Sequence, residues 1–156
     1  MPLPDLFPFN GDWAKYENDL YEIYLDTVSR VPRRFNGFPI RCRFNPATKG
    51  KGYGFWHIIS EGRVEEERTP DLRRCERIRW IGWLLDNVNS DERISWWENK
   101  RGRETHVVIW IEEADFAVVL AKRTTSLLLL SAYYVKPHRK ADFLREREEF
   151  LNAQKD

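Results

Sequence analysis

The chain has 156 residues, enough for one domain with a full core, and 33% of them are charged although the net charge is only +1. Two cysteines cannot staple a secreted disulfide scaffold. The opening "MPLPDLFPFN" lacks the basic and apolar regions of a signal peptide, and no apolar run reaches the length of a membrane span, so a cytoplasmic protein without a membrane partner is expected.

Asp12 can cap a helix in "DWAKYENDLYEIYLDTVSR", where Trp13, Tyr16, Leu20, Ile23, Tyr24 and Val28 recur at three- and four-residue steps. Pro32 stops it. Asn36-Gly37 signals a turn, and "PIRCRF" alternates Ile40, Cys42 and Phe44 against Arg41 and Arg43, a strand with one buried and one basic face. The glycine-rich "KGKGYG" predicts a loop. "YGFWHIIS" then predicts a second strand, with Phe55, His57 and Ile59 on one side, completing a basic hairpin over 33–60. Thr69 as cap, Pro70 at the first helical position and Asp71 favouring the dipole open a second helix that runs to Asn87, with Leu72, Cys75, Ile78, Ile81 and Leu85 as its stripe.

Beyond Asn87 the period drops to two. "RISWWENKRGRETHVVIWI" predicts a hairpin turning at "KRGR", and "DFAVVLAKR" and "SLLLLSAYYV" predict two more strands. The result is a four-stranded antiparallel meander over 93–135 whose last strand is apolar enough to sit centrally, buried on both faces. Pro137 opens a C-terminal helix over 137–153. One domain, 1–156, is expected. Its class is α+β, with an α-helical N-terminal part at about 11–88 and helices on one face of a four- to six-stranded antiparallel sheet.

Charge is segregated along the chain. No acid lies between Asp26 and Glu61, where Arg30, Arg33, Arg34, Arg41, Arg43, Lys49 and Lys51 occur. None lies between Asp115 and Asp142, where Lys122, Arg123, Lys136, Arg139 and Lys140 occur. Blocks of this kind can build one positive face on a nearly neutral protein, or form ordinary solvated surface.

Several chemistries lack their parts. His57, His106 and His138 are dispersed and the cysteines lack C-x-x-C spacing, so no metal or other cofactor is expected. "GKGYG" lacks the spacing of a phosphate-binding P-loop, and no G-x-S-x-G elbow exists. Phosphodiester chemistry without a metal needs only an acid, a base and donors for the phosphoryl oxygens. On the last strand Ser131 and Tyr133, two residues apart, share a face.

"FWHIIS", "FAVVLAKR…SLLLLSAYYVKPHRKADFLRE" and two helices ahead of a four-stranded meander resemble the barnase–EndoU–colicin–RelE-like nuclease superfamily, particularly its phage- and mobile-element-associated members. Ser131-Ala132-Tyr133 and Leu144-Arg145 match the superfamily's Thr/Ser-x-Tyr strand and Leu-Arg helix, and His57-Ile58 matches its early His-Ile; Ser stands where Thr is common. The resemblance spans roughly residues 35 to 150. It implies a metal-independent, toxin- or effector-like endoribonuclease that cleaves tRNA or mRNA to a 2′,3′-cyclic phosphate, with an immunity or antitoxin protein as a further partner.

On that reading His57, Ser131 and Tyr133 are the catalytic candidates, and Arg41, Arg43, Lys51, Arg103, Lys122, His138 and Arg139 hold phosphate or RNA. His106, mid-strand among Val and Trp, reads as structural, and Arg101 as a solvated turn residue. The competing expectation is a non-catalytic RNA- or protein-binding module that uses the basic face and exposed aromatics.

Overall fold

The computed structural model describes residues 2–62 and 68–155; the "EEE" run noted in the sequence falls outside them. Asp12 caps α1 (Trp13–Tyr24) by accepting from the Lys15 amide, and Tyr16, Leu20 and Tyr24 form its buried stripe. The helix runs on as a π-helical turn, Leu25–Ser29. Asn36 and Gly37 take positive φ between β1 (Arg34–Phe35) and β2 (Phe38–Cys42), the turn their side chains favour. Next come α2 (Tyr53–Ile59), β3 (Ser60–Glu61) and β4 (Thr69–Pro70), then α3 (Leu72–Glu76) and α4 (Ile78–Asn87). The meander is β5 (Ile94–Arg101), β6 (Glu104–Ile111), β7 (Phe116–Lys122) and β8 (Leu127–Tyr134), and α5 (Pro137–Gln154) closes the chain.

The sheet order is β1-β2-β8-β7-β6-β5, so β8 is interior as the sequence predicts. The sheet is mixed, not wholly antiparallel, because β2 pairs in parallel with the first half of β8, Ile40 opposite Leu127 and Cys42 opposite Leu129. Alternation along β2 fixes its inward face but names no partner strand, and the parallel return needs the long crossover that α2 to β7 supply.

Helices cover both faces of the sheet, not one. Val107, Ile109 and Ile111, with Phe116, Val118 and Leu120, bury against α1 to α4 in the main core. On the other face Trp97, Val108, Trp110 and Ala117 pack under Phe143 of α5. Phe143 meets Trp97 and Trp110 edge to face, with centroids 5.2 and 5.5 Å away. From Phe116 to Ala121 every residue of β7 is buried, which requires cover on both sides.

"YGFWHIIS" is a helix, not the second strand of a hairpin. Phe55, Ile58 and Ile59 are buried, a spacing that suits a helix as well as a strand over so few residues. Gly54 lets this helix touch the end of β2, since a Cβ there would lie 3.2 Å from both the Arg43 carbonyl and the Tyr24 hydroxyl. The second predicted helix begins at Leu72 under an Asp71 cap, not at Pro70 under Thr69, because Thr69 and Pro70 pair with β3, and it breaks at Arg77 into α3 and α4. Among the described residues no helix is long and apolar enough to cross a membrane.

Candidate active site in an open hollow beside α5

Because Val107 and Ile109 point into the main core, His106 and Val108 project to the α5 side of the sheet. For β8 the same rule gives the wrong answer. Leu127 and Leu129 belong to the main core, and unbroken alternation would send Ser131 and Tyr133 there too. The register shifts between Val119 and Leu120: Leu120 faces Leu129 while Val119 faces Ser131, which leaves Leu130 as an extra residue. This β-bulge reverses the parity, so Ala132 enters the main core and Tyr133 packs with the α5-side cluster.

Ser131 and Tyr133 therefore line an open hollow of about 440 Å³ on the α5 side. Its polar wall is completed by Asn99, Arg101, His106 and Arg139, and its floor is Val108, Val119 and Leu130. Asn99 pairs with His106 across β5 and β6, and Val108, Val119 and Ser131 form the adjacent cross-strand row. His106 and Ser131 thus lie two strands and one register step apart, ~12 Å between backbones by ordinary sheet spacing. Their side chains share the hollow between these positions, which leaves room for a phosphate.

A buried carboxylate organises the cationic rim. Glu146 of α5, 8% exposed, accepts from Arg101 at 3.4 Å and Arg139 at 3.3 Å through Oε2, and from the Trp97 indole at 3.3 Å through Oε1. One nitrogen of each guanidinium is committed in this way, and each fork has further donors. Arg139 also reaches Asp142 at 3.4 Å. At the other end of the hollow, Glu104 lies 3.3 Å from His106 Nε2 and 2.8 Å from Arg123. The bond to His106, helped by Arg123, holds the Glu104 carboxyl below its usual range. Glu104 is thereby placed to orient the imidazole.

The sequence-derived candidates divide into those on the hollow and those elsewhere. Ser131, Tyr133 and Arg139 line it. His57 does not: it sits on α2, half-buried, with its ring stacked on Tyr53 at 4.1 Å and its carbonyl accepting from Arg74 at 3.3 Å. Arg41 pairs with Leu128 and, lying between the inward Ile40 and Cys42, shares the open face with the hollow. Arg43 lies 4.2 Å over the Tyr53 ring. Lys51 is largely buried and pairs with Glu17 at 3.7 Å, tying its loop to α1. Lys122 pairs with Glu98 at 3.1 Å. Arg103 and His138 are exposed, at the β5–β6 turn and the start of α5.

His106, Arg101 and Glu146 are the residues that sequence reasoning left out of the site. The alternation in "THVVIW" was visible, but which face stays uncovered depends on where α5 docks. No protein-family model, no curated protein and no solved structure matches this chain.

Proposed function

We propose that the chain is a metal-independent endoribonuclease whose site is the hollow beside α5. The observation that carries this reading is the meeting of His106, Ser131 and Tyr133, uncovered, between two arginines held by one buried carboxylate. In the proposed reaction His106 takes the proton of a ribose 2′-hydroxyl as that oxygen attacks the adjacent phosphorus. The bond from phosphorus to the 5′-oxygen breaks, and the Tyr133 phenol protonates the departing oxygen. The Ser131 hydroxyl and the Arg101 and Arg139 guanidiniums donate to the non-bridging oxygens as their charge grows. The products are a 2′,3′-cyclic phosphate and a 5′-hydroxyl; solvent returns the proton from His106 to Tyr133. His106 thus takes the role that the sequence pattern gave to His57. A tRNA or mRNA substrate, a toxin- or effector-like role and an immunity partner rest on the family resemblance.

The test is incubation of the purified protein with total RNA in EDTA. Cleavage that persists with chelator, disappears in His106→Ala and Tyr133→Phe, and survives in His57→Ala supports the reading. Salt-dependent RNA binding without turnover, unchanged by Tyr133→Phe, marks the non-catalytic binding module instead.

A further inference from the structure

The open sheet face does not end at the hollow. The cross-strand row that begins with Asn99 and His106 continues through Ala121 and Leu128 to Arg41 on β2. Arg41 is exposed. It stands three strands from His106, ~14 Å at ordinary sheet spacing. Two residues on, Arg43 is exposed as well, yet its side chain is fixed from two sides. Its guanidinium lies 4.2 Å from the centroid of the Tyr53 ring, and its Nε donates to the Asn45 carbonyl at 2.6 Å. Tyr53 is itself backed by His57, ring centroids 4.1 Å apart and planes within 24°. Arg43, Tyr53 and His57 therefore form a layered stack whose outer member is a guanidinium seated over the Tyr53 ring and anchored through its Nε.

A guanidinium seated on an aromatic ring can still meet a phosphate with the donors along its edge, and its outward surface is left for another partner. Arg43 is exposed, and a guanidinium seated over an aromatic ring offers a π-face, the surface on which an unpaired base stacks. We infer that Arg43 is a base-stacking platform for a nucleotide flanking the scissile one, with Arg41 holding the neighbouring phosphate. The inference rests on the RNA reading of the hollow and adds to it a subsite at the end of β2, a few nucleotides from His106. It also gives the "RCR" and "YGFWH" segments a shared task, since the first supplies the platform and the second its backing.

The test uses 2′-O-methyl oligonucleotides, which cannot be cleaved: a fluorescent octanucleotide followed by anisotropy, and an unlabelled dinucleotide measured by competition. Arg43→Lys keeps the charge and removes the flat face. It is expected to weaken the octanucleotide about tenfold, without changing the salt dependence, and to leave the dinucleotide unaffected. Arg41→Ala is expected to weaken the octanucleotide and to reduce the slope of log affinity against log salt by about one. Thermal melts of both variants, which change exposed side chains, verify folding. Octanucleotide binding by Arg43→Lys equal to wild type, or an equal loss on both lengths, overturns the subsite and leaves the hollow standing. Failure of the wild-type protein to bind either oligonucleotide overturns both.

Discussion

Glu146 is the residue on which fold and site depend together, and Glu146→Gln tests that dependence. The carboxylate is 8% exposed and joins α5 to β5 through Trp97 and Arg101, while Arg139 reaches it from its own helix. The amide is nearly isosteric, so no cavity opens; what is lost is the charge and one of the two acceptor oxygens. Hydrogen bonds to a charged group contribute about 1.5–3 kcal/mol and neutral ones about 0.5–1.5 kcal/mol. Arg101 is 45% exposed, so solvent screening leaves it a small share. Arg139, 26% exposed, and the buried Trp97 indole carry most of the effect. The expected cost is ~2–3 kcal/mol, which for a chain of this size lowers the melting temperature by ~4–12 °C. Calorimetry gives the total, and double-mutant cycles in urea divide it. The Glu146–Arg139 coupling should exceed the Glu146–Arg101 coupling, with the latter below about 0.5 kcal/mol. A Glu146→Gln protein that melts with wild type, or a coupling to Arg101 as large as that to Arg139, refutes the reasoning.

Gly82→Ala should cost ~1–3 kcal/mol in urea unfolding, because the added Cβ would lie 2.8 Å from the Thr27 carbonyl and α4 would have to shift from the π-helical turn; an unchanged midpoint would contradict that close approach. Alkaline pH should destabilise the fold: burial pushes the Cys75 thiol from 9.0 up to about 12 and holds the Tyr16 and Tyr24 phenols well above their usual value. These groups keep their protons where the unfolded chain releases them. Stability is therefore intact below about pH 9 and falls from there through about pH 12, by up to ~1.4 kcal/mol per pH unit for each group, as urea melts across that range would register. Deletion of Leu130 should be tolerated at ~1–2 kcal/mol, since the pairs on either side of it keep their partners; loss of a cooperative melt would show that the register depends on the bulge.

What the sequence made legible was local. Asp12 accepts from a backbone amide of the helix it precedes, Asn36 and Gly37 turn a hairpin with positive φ, and Pro137 opens α5. Each needs only its neighbours within a few residues. The four meander strands were legible for the same reason, since a hairpin turn and period-two alternation fix antiparallel partners nearby. Three features were settled by distant contacts. The "YGFWHIIS" segment satisfies both periods, and burial of Phe55, Ile58 and Ile59 against the main core selects the helix. The parallel pairing of β2 with β8 joins segments more than eighty residues apart. The docking of α5 depends on Trp97, Trp110 and Phe143 meeting, and it leaves β7, not the last strand, as the strand buried on both faces.

The bulge at Leu130 decides what the site can be. Both parities of β8 are compatible with its composition, because Leu130 and Ala132 could bury as readily as Leu129 and the hydroxyls could bond to the backbone. An unbulged ladder would keep every hydrogen bond between β7 and β8 and would place Ser131 and Tyr133 under α1 to α4, sealed from any ligand. The observed ladder gives up its regularity at one residue, and in exchange two hydroxyl-bearing side chains reach the side where His106, Arg101 and Arg139 already stand. Packing takes part in that preference, since Ala132 is buried in the main core and Tyr133 packs beside Phe143, while Leu130 and Ser131 are only half-buried. Bulges are over-represented beside active sites, where they re-aim side chains, and here the re-aimed groups are the hydroxyls of the proposed site.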